Sequence, residues 1–281
     1  MRFILLFCLL IFFAACKQQQ AATPVVSPAG YDFRQIYALK LPVELDEISG
    51  LCYLPRDSSL LAVGDEIGNV YKINVRRPTY IQRWRFAGPG DYEGLEIAGA
   101  HLYVLRSDGA LYQVNFADKD TTYVNIYPFP TKGNEFESLC YDAARNRLMI
   151  ICKECAVDDK HTFSAYFFNL GNMQWEQDTQ AFRTENIDRL HNYKGKKFKP
   201  SGAAFHPITG DLYVVSAINR VLVVFDHNFQ PKEAIPLVAS DFIQPEGISF
   251  DSAGNMFISN ETNKVSASSI LIFPYRPTTK R

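Results

Sequence analysis

The sequence lacks an excess of either charge. Its 281 residues carry 29 Lys and Arg against 30 Asp and Glu, a formal net charge of -1. A nucleic-acid footprint or a polybasic membrane face needs clustered positive charge, so neither partner is expected. Strong helical periodicity is absent from end to end. So are the short motifs of several enzyme classes: there is no GxSxG elbow, no P-loop and no dinucleotide fingerprint. The histidines (His101, His161, His191, His206 and His227) are scattered and form no HExxH pair. His206, in FHPITGD, reads as a turn or surface residue between two strands, and His101 lies at the equivalent turn.

Cysteine is scarce, and two of the six, Cys8 and Cys16, belong to the N-terminal apolar segment. Cys152 and Cys155 form CKEC, which reads as a redox pair, half a metal site or a local bridge. The first two lack their usual companions. No second CxxC or His cluster completes a zinc set, and a charged loop follows where a thioredoxin-like pair would open a helix. Cys52 and Cys140 stand at matching places, behind SGL and ESL, and read as buried small hydrophobes.

What is present starts with the N-terminus. MRFILLFCLLIFFAAC has one basic residue, Arg2, then an apolar run, two alanines and Cys16. This is the layout of a secretory signal. Small residues ahead of a cysteine match a lipoprotein processing box, with Phe13 where leucine is usual. An ordinary signal peptide cut nearby, or a retained anchor, is the alternative, although the run is short for a membrane span. Residues 1–16 are therefore expected to be a lipoprotein signal with Cys16 lipidated, 17–30 a flexible tether, and 31–281 the folded domain. Such a chain is an exported bacterial lipoprotein of the cell envelope. It would be anchored to the outer membrane through lipid alone and face the periplasm or the exterior. Disulfides are permitted there.

The chain is 47 % apolar and rich in Phe (21) and Tyr (15), a load typical of strands. Five copies of one phrase run through it: EISGLCYLPRDSSLLAVGDE, DYEGLEIAGAHLYVLRSD, EFESLCYDAARNRLMIICKE, KPSGAAFHPITGDLYVVSA and QPEGISFDSAGNMFISNE. Their anchors, Ser49, Glu93, Glu137, Ser201 and Glu246, are spaced by 44, 44, 64 and 45 residues. Third strands follow each copy, as in NVYKINV and RVLVVFD, and fourth strands lie in the links, as in YIQRWRF and EAIPLV. Several short strands per period of this length mean a propeller. The expected fold is all-β: a five-bladed β-propeller of four-stranded antiparallel blades. The last copy has no fourth strand after it, and an orphan, DFRQIYALKL, precedes the first. That N-terminal strand is expected to join the last blade and close the ring. In the long third interval MQWEQDTQAF reads as an outer strand, TENIDRLHNYKGKKF as a charged loop or short helix, with a degenerate sixth blade as the alternative.

DEISGLCY, LLAVGDEIGNVYKINV, AGPGDYEGLE, FESLCYD, PSGAAFHPITGDLYVVS and PEGISF also resemble the SdiA-regulated, or YjiK-like, family over about Leu41 to Tyr275. The resemblance implies a five-bladed propeller distantly related to NHL-repeat proteins. It implies a calcium ion at a shared site and, for lipoprotein members, a place in the cell envelope. It implies no established biochemical activity.

The acids at the repeat joints have a physical reading of their own. The start of an innermost strand and the end of its antiparallel neighbour are adjacent. Glu93, Glu137 and Glu246, with Glu66, Glu154 and Glu261, can therefore gather at one mouth of the channel, and Glu47 can join them. Converging carboxylates repel, and a hard cation such as calcium, which takes six to eight oxygens, answers that. The competing reading has each Glu capping its own blade. The fourth copy has Ser201 and Ser216-Ala217 in place of acids, and the second ends in Arg106-Ser107-Asp108, where Arg106 reads as a cation beside the acids, an anion contact or one half of an internal salt bridge. Tyr92, Phe136 and Tyr193 are expected near the mouth as ligand contacts. The expected function is a monomeric calcium-binding module for a small-molecule, glycan or protein ligand. The alternative is a metal-dependent hydrolase of lactones or phosphate esters. For phosphate esters the cluster Lys194, Lys196, Lys197 and Lys199, with Arg189, would matter, although it reads better as a solvated loop.

Overall fold

The computed structural model describes residues 25–116, 122–190, 197–262 and 266–277. Cys16, most of the tether, His191, Tyr193, Lys194 and Lys196 lie outside the described residues.

A short strand β1 (Tyr37–Lys40) precedes the first blade. Blade one is β2 (Ile48–Leu54), β3 (Ser59–Gly64), β4 (Ile67–Asn74) and β5 (Arg77–Pro89). Blade two is β6 (Tyr92–Ala98), β7 (His101–Arg106), β8 (Leu111–Phe116) and β9 (Thr122–Tyr127). Blade three is β10 (Glu135–Asp142), β11 (Arg147–Glu154), β12 (Thr162–Asn169) and β13 (Gln174–Arg183). A short helix, α1 (Thr184–Leu190), leads to blade four: β14 (Gly202–Phe205), β15 (Leu212–Ser216), β16 (Val221–Phe225) and β17 (Pro231–Pro236). Blade five holds β18 (Pro245–Phe250), β19 (Met256–Asn260) and β20 (Ser269–Phe273).

Each blade is one four-stranded antiparallel sheet, and β1 completes the fifth by pairing with β20, Tyr37 opposite Ile272 and Lys40 opposite Ser269. The third interval adds no blade among the described residues; its excess is α1 and the link to β14. No helix among the described residues is long and apolar enough to cross a membrane.

Burial explains the strand compositions. The second and third strands are covered on both faces by neighbouring blades, so they read as unbroken apolar runs: Leu148 to Cys152 and Val221 to Val223 are all 0 % exposed. Outer strands see water on one face, and β9 alternates accordingly. Five apolar clusters fill the five gaps between blades. The first-to-second strand turns are tight, with Ser58, Asn146, Gly210 and Gly254 in the left-handed region.

The first strands β2, β6, β10, β14 and β18 stand side by side around the axis. Gly50, Gly94, Ser138, Gly202 and Gly247 line a throat of only 10 Å³. A Cβ at Gly50 would stand 2.8 Å from the Gly94 Cα, and one at Gly202 would strike the Glu246 carbonyl oxygen. Glycine is required there by close backbone approach. The throat separates two mouths.

His206 keeps its expected place at the turn between β14 and β15, but it is not a surface residue. It is 1 % exposed, its Nδ1 accepts from the Ile208 and Thr209 amides, and its ring packs on Tyr31, Tyr213, Phe250 and Tyr275. Apolar surroundings push its pKa down, which keeps it neutral.

Candidate functional site

Four of the five first strands carry a β-bulge near their start. The register steps from Ile48 to Gly50, from Tyr92 to Gly94, from Phe136 to Ser138 and from Pro245 to Gly247. The residues skipped are Ser49, Glu93, Glu137 and Glu246. A bulge releases its extra residue from strand alternation and re-aims the side chain. All four line one cavity of 260 Å³ at a mouth of the channel, together with Ser201, which directly precedes β14. A second tier comes from just after or within the ends of second strands: Asp65, Lys153, Ala217 and Glu261.

The carboxyls crowd a half-buried space. Burial, reinforced by Glu137, pushes Glu246 up to about 7. Burial likewise holds Glu93 well above the usual carboxylate range, with Glu137 and Asp91 adding repulsion. Glu261 is raised by burial, then by a hydrogen bond with Glu47 and the charge of Glu246. Asp65 is raised by burial and by Glu47, Glu66 and Asp91, and its Oδ1 is buried without a hydrogen-bond partner.

Two lysines oppose this charge. Lys153 Nζ bonds Glu137 and lies 3.1 Å from Glu135. Burial works against the ammonium, but those two carboxylates outweigh it and hold its pKa above the usual lysine range. Lys199 Nζ donates to Glu154 at 2.8 Å on the rim.

The donors of the cavity are chiefly oxygens, the set that suits a hard cation. They are not drawn together as a finished shell. Among the described residues no three carboxylates bring an oxygen each within 4.8 Å of one another; the trio of potential ligands that converges so closely is Cys152, Cys155 and Asp158, with two sulfurs and one carboxylate. Cys152 and Cys155 are joined in a disulfide, so they offer no thiolates.

The expected residues divide by position. Glu93, Glu137, Glu246 and Glu261 line the cavity. Glu47 and Glu66 lie in an adjoining groove of 250 Å³ that shares Asp65. Glu154 sits outside, paired with Lys199 and more than half exposed. Arg106 is held by Asp108 and the Tyr112 hydroxyl. Tyr92 and Phe136, expected as ligand contacts, are instead 2 % and 0 % exposed, because they fill the walls between blades against Phe86 and Phe129. The residues missed are Asp65 and Lys153. Aligning the phrases on their acids selects Glu66 and Glu154. Aligning them on the second-strand residues that pair with the first strand just before its bulge, Gly64, Cys152 and Asn260, puts Asp65, Lys153 and Glu261 in one place.

A family model described as SdiA-regulated matches residues 29–265. The chain belongs to the SdiA-regulated family. No curated protein matches it at a significant level. Among solved structures, this SdiA-regulated chain superposes on Myxococcus xanthus glutaminyl cyclase with a TM-score of 0.56 at 14 % identity, covering 85 % of this chain and 95 % of that one. A luciferin-regenerating enzyme gives 0.54 at 9 % identity, covering 87 % and 98 %. Virginiamycin B lyase from Staphylococcus aureus gives 0.50 at 11 %, covering 88 % and 89 %. At these identities the likeness shows the propeller fold alone.

Proposed function

We propose that this SdiA-regulated propeller is a monomeric cell-envelope binding module that holds calcium at its acidic mouth and takes a ligand there. The supporting observation is the convergence of Asp65, Glu93, Glu137, Glu246 and Glu261, from four blades, on one cavity where burial and mutual repulsion raise their pKa values. A divalent cation relieves that repulsion. Calcium suits these oxygens better than magnesium, whose tight octahedron needs closer convergence. Asp65 is the first ligand to expect, since one of its oxygens has no partner. Blade four contributes Ser201 and Ala217 instead of acids, with Lys199 beside them. That leaves one side of the shell for an oxygen-bearing small molecule, glycan or protein side chain. Export, lipidation at Cys16 and anchoring in the outer membrane through the 17–30 tether belong to the same reading.

The open side also favours a second reading, a metal-dependent hydrolase of lactones or phosphate esters, because a metal polarises a substrate oxygen only at a free position.

Thermal melting in millimolar calcium and in EGTA tests the first reading. Ligand at about a hundredfold over its Kd adds about 2.7 kcal/mol, several degrees in Tm. Glu246→Gln and Glu93→Gln should each shrink the shift. An unmoved wild-type Tm sinks calcium binding. Calcium-dependent turnover of a lactone or phosphate ester, lost in Glu246→Gln, would replace the binding module with the hydrolase.

A further inference from the structure

The opposite mouth of the channel holds the larger cavity, 590 Å³, a size suited to a small organic ligand. The throat between the two mouths is too narrow to join them. The walls of the larger cavity are the far ends of the first strands and their turns, with Tyr53, Tyr141 and Phe205 partly exposed and Phe250 also in the lining.

One carboxyl in this cavity is without a counter-charge. Glu96 accepts from the Ile97 amide at 2.9 Å and lies 3.5 Å from Cys52 Sγ, and a Tyr141 backbone amide is its third partner. Among the described residues no lysine or arginine bonds it. Burial pushes it up to about 7. The other charged groups of the cavity are engaged. Asp142 is held by Arg145 and Arg147, and Asp251 is spent on the Ala253 and Asn255 amides and the Asn255 side chain. His206 is neutral and buried.

An unpaired carboxyl at the foot of an aromatic-walled cavity is complementary to an organic cation. The carboxylate takes the ammonium by a charge-assisted hydrogen bond, and aromatic faces attract both the cation and its apolar body. We propose that this far mouth binds a small organic amine with an apolar body, its ammonium on Glu96 and its body among Tyr53, Tyr141, Phe205 and Phe250.

The test is calorimetry on the full chain at neutral pH in saturating calcium, with phenethylamine as probe and 2-phenylethanol as its neutral counterpart. Phenethylamine should bind at least about tenfold more tightly than the alcohol. Glu96→Gln keeps an acceptor for the Ile97 amide and should remove that preference. Ala144→Trp, a change at an exposed turn on the cavity rim, should weaken both probes even if Glu96→Gln folds poorly. Glu246→Gln, in the other mouth, should change neither. Equal affinity for the two probes, no binding at millimolar concentration, or a loss in Glu246→Gln but not in Glu96→Gln overturns the proposal.

Discussion

Lys153 puts an ammonium among carboxyls that would otherwise repel one another. Its side chain is 28 % exposed and that of Glu137 is 6 % exposed, so the pair is largely withdrawn from water and removing one member leaves a costly charge behind. Lys153→Met keeps the apolar stem and deletes the charge. In EGTA it should lose about 2 kcal/mol of stability. In calcium it should gain more Tm than the wild type, because the cation then replaces the lost ammonium. Melts of both proteins in both buffers check this, and an unchanged calcium increment would mean that Lys153 does not compete for the site. The same residue marks the limit of the sequence at this scale. Glu93, Glu137 and Glu246 were legible because acids recur at a fixed offset from the apolar strand pattern. Lys153 and Asp65 were hidden because their neighbours, Glu154 and Glu66, continue the acidic pattern. Cys140 proved readable, being 0 % exposed and unbridged as its apolar setting suggested.

Strands and their joints account for the rest of the site. Each bulge turns one side chain into the mouth, and the small residue after it lets the next blade's backbone pass close by. Gly202 holds the matching place in blade four, which has no bulge, and Gly202→Ala should destabilise the ring by about 2–3 kcal/mol, since its Cβ meets the Glu246 carbonyl rather than a movable side chain. The effect should spread to the calcium response, because Glu246 belongs to the mouth. Gly88→Ala is the control: its Cβ meets nothing within 4 Å, and its cost should stay within about 0.5 kcal/mol. Urea unfolding of both variants decides the matter. Strand order, blade number and ring closure were legible at this scale. A near-constant period with alternating apolar runs leaves few other ways to bury those runs. The bulges were not, because one extra residue in a strand leaves no trace in composition beyond the side chain it re-aims.

At the scale of the whole molecule, the acidic mouth couples stability to pH. Burial raises Glu246 to about 7 and lifts Glu93 and Glu261 above the usual carboxylate range. Each therefore keeps a proton in the folded chain that the unfolded chain releases near pH 4.5. Stability from these protons is complete below that value and fades as pH rises through the folded pKa values. Without calcium, Tm should fall between about pH 5 and 8 more steeply in the wild type than in Glu246→Gln, with Glu246 alone worth about 3 kcal/mol. Saturating calcium should flatten the difference. Parallel pH profiles for the two proteins would count against it. Orientation follows from the same frame. Tyr31 Oη donates to the Gly254 carbonyl and Arg276 N to the Gly30 carbonyl, at the end of blade five away from the acids. The chain from residue 25 thus meets the domain at the end opposite the acidic mouth. The pairing of β1 with β20 has one more consequence, and it concerns time. The strand that leaves the ribosome first in this domain pairs with the one that leaves last, more than 200 residues later. Until then blade five is open and β1 waits as an unpaired edge, a hazard for aggregation. The domain commits to its final form only after Ser269–Phe273 has emerged to meet β1, so a stop codon just before Ser269 should be as damaging to folding as a deletion of Tyr37–Lys40.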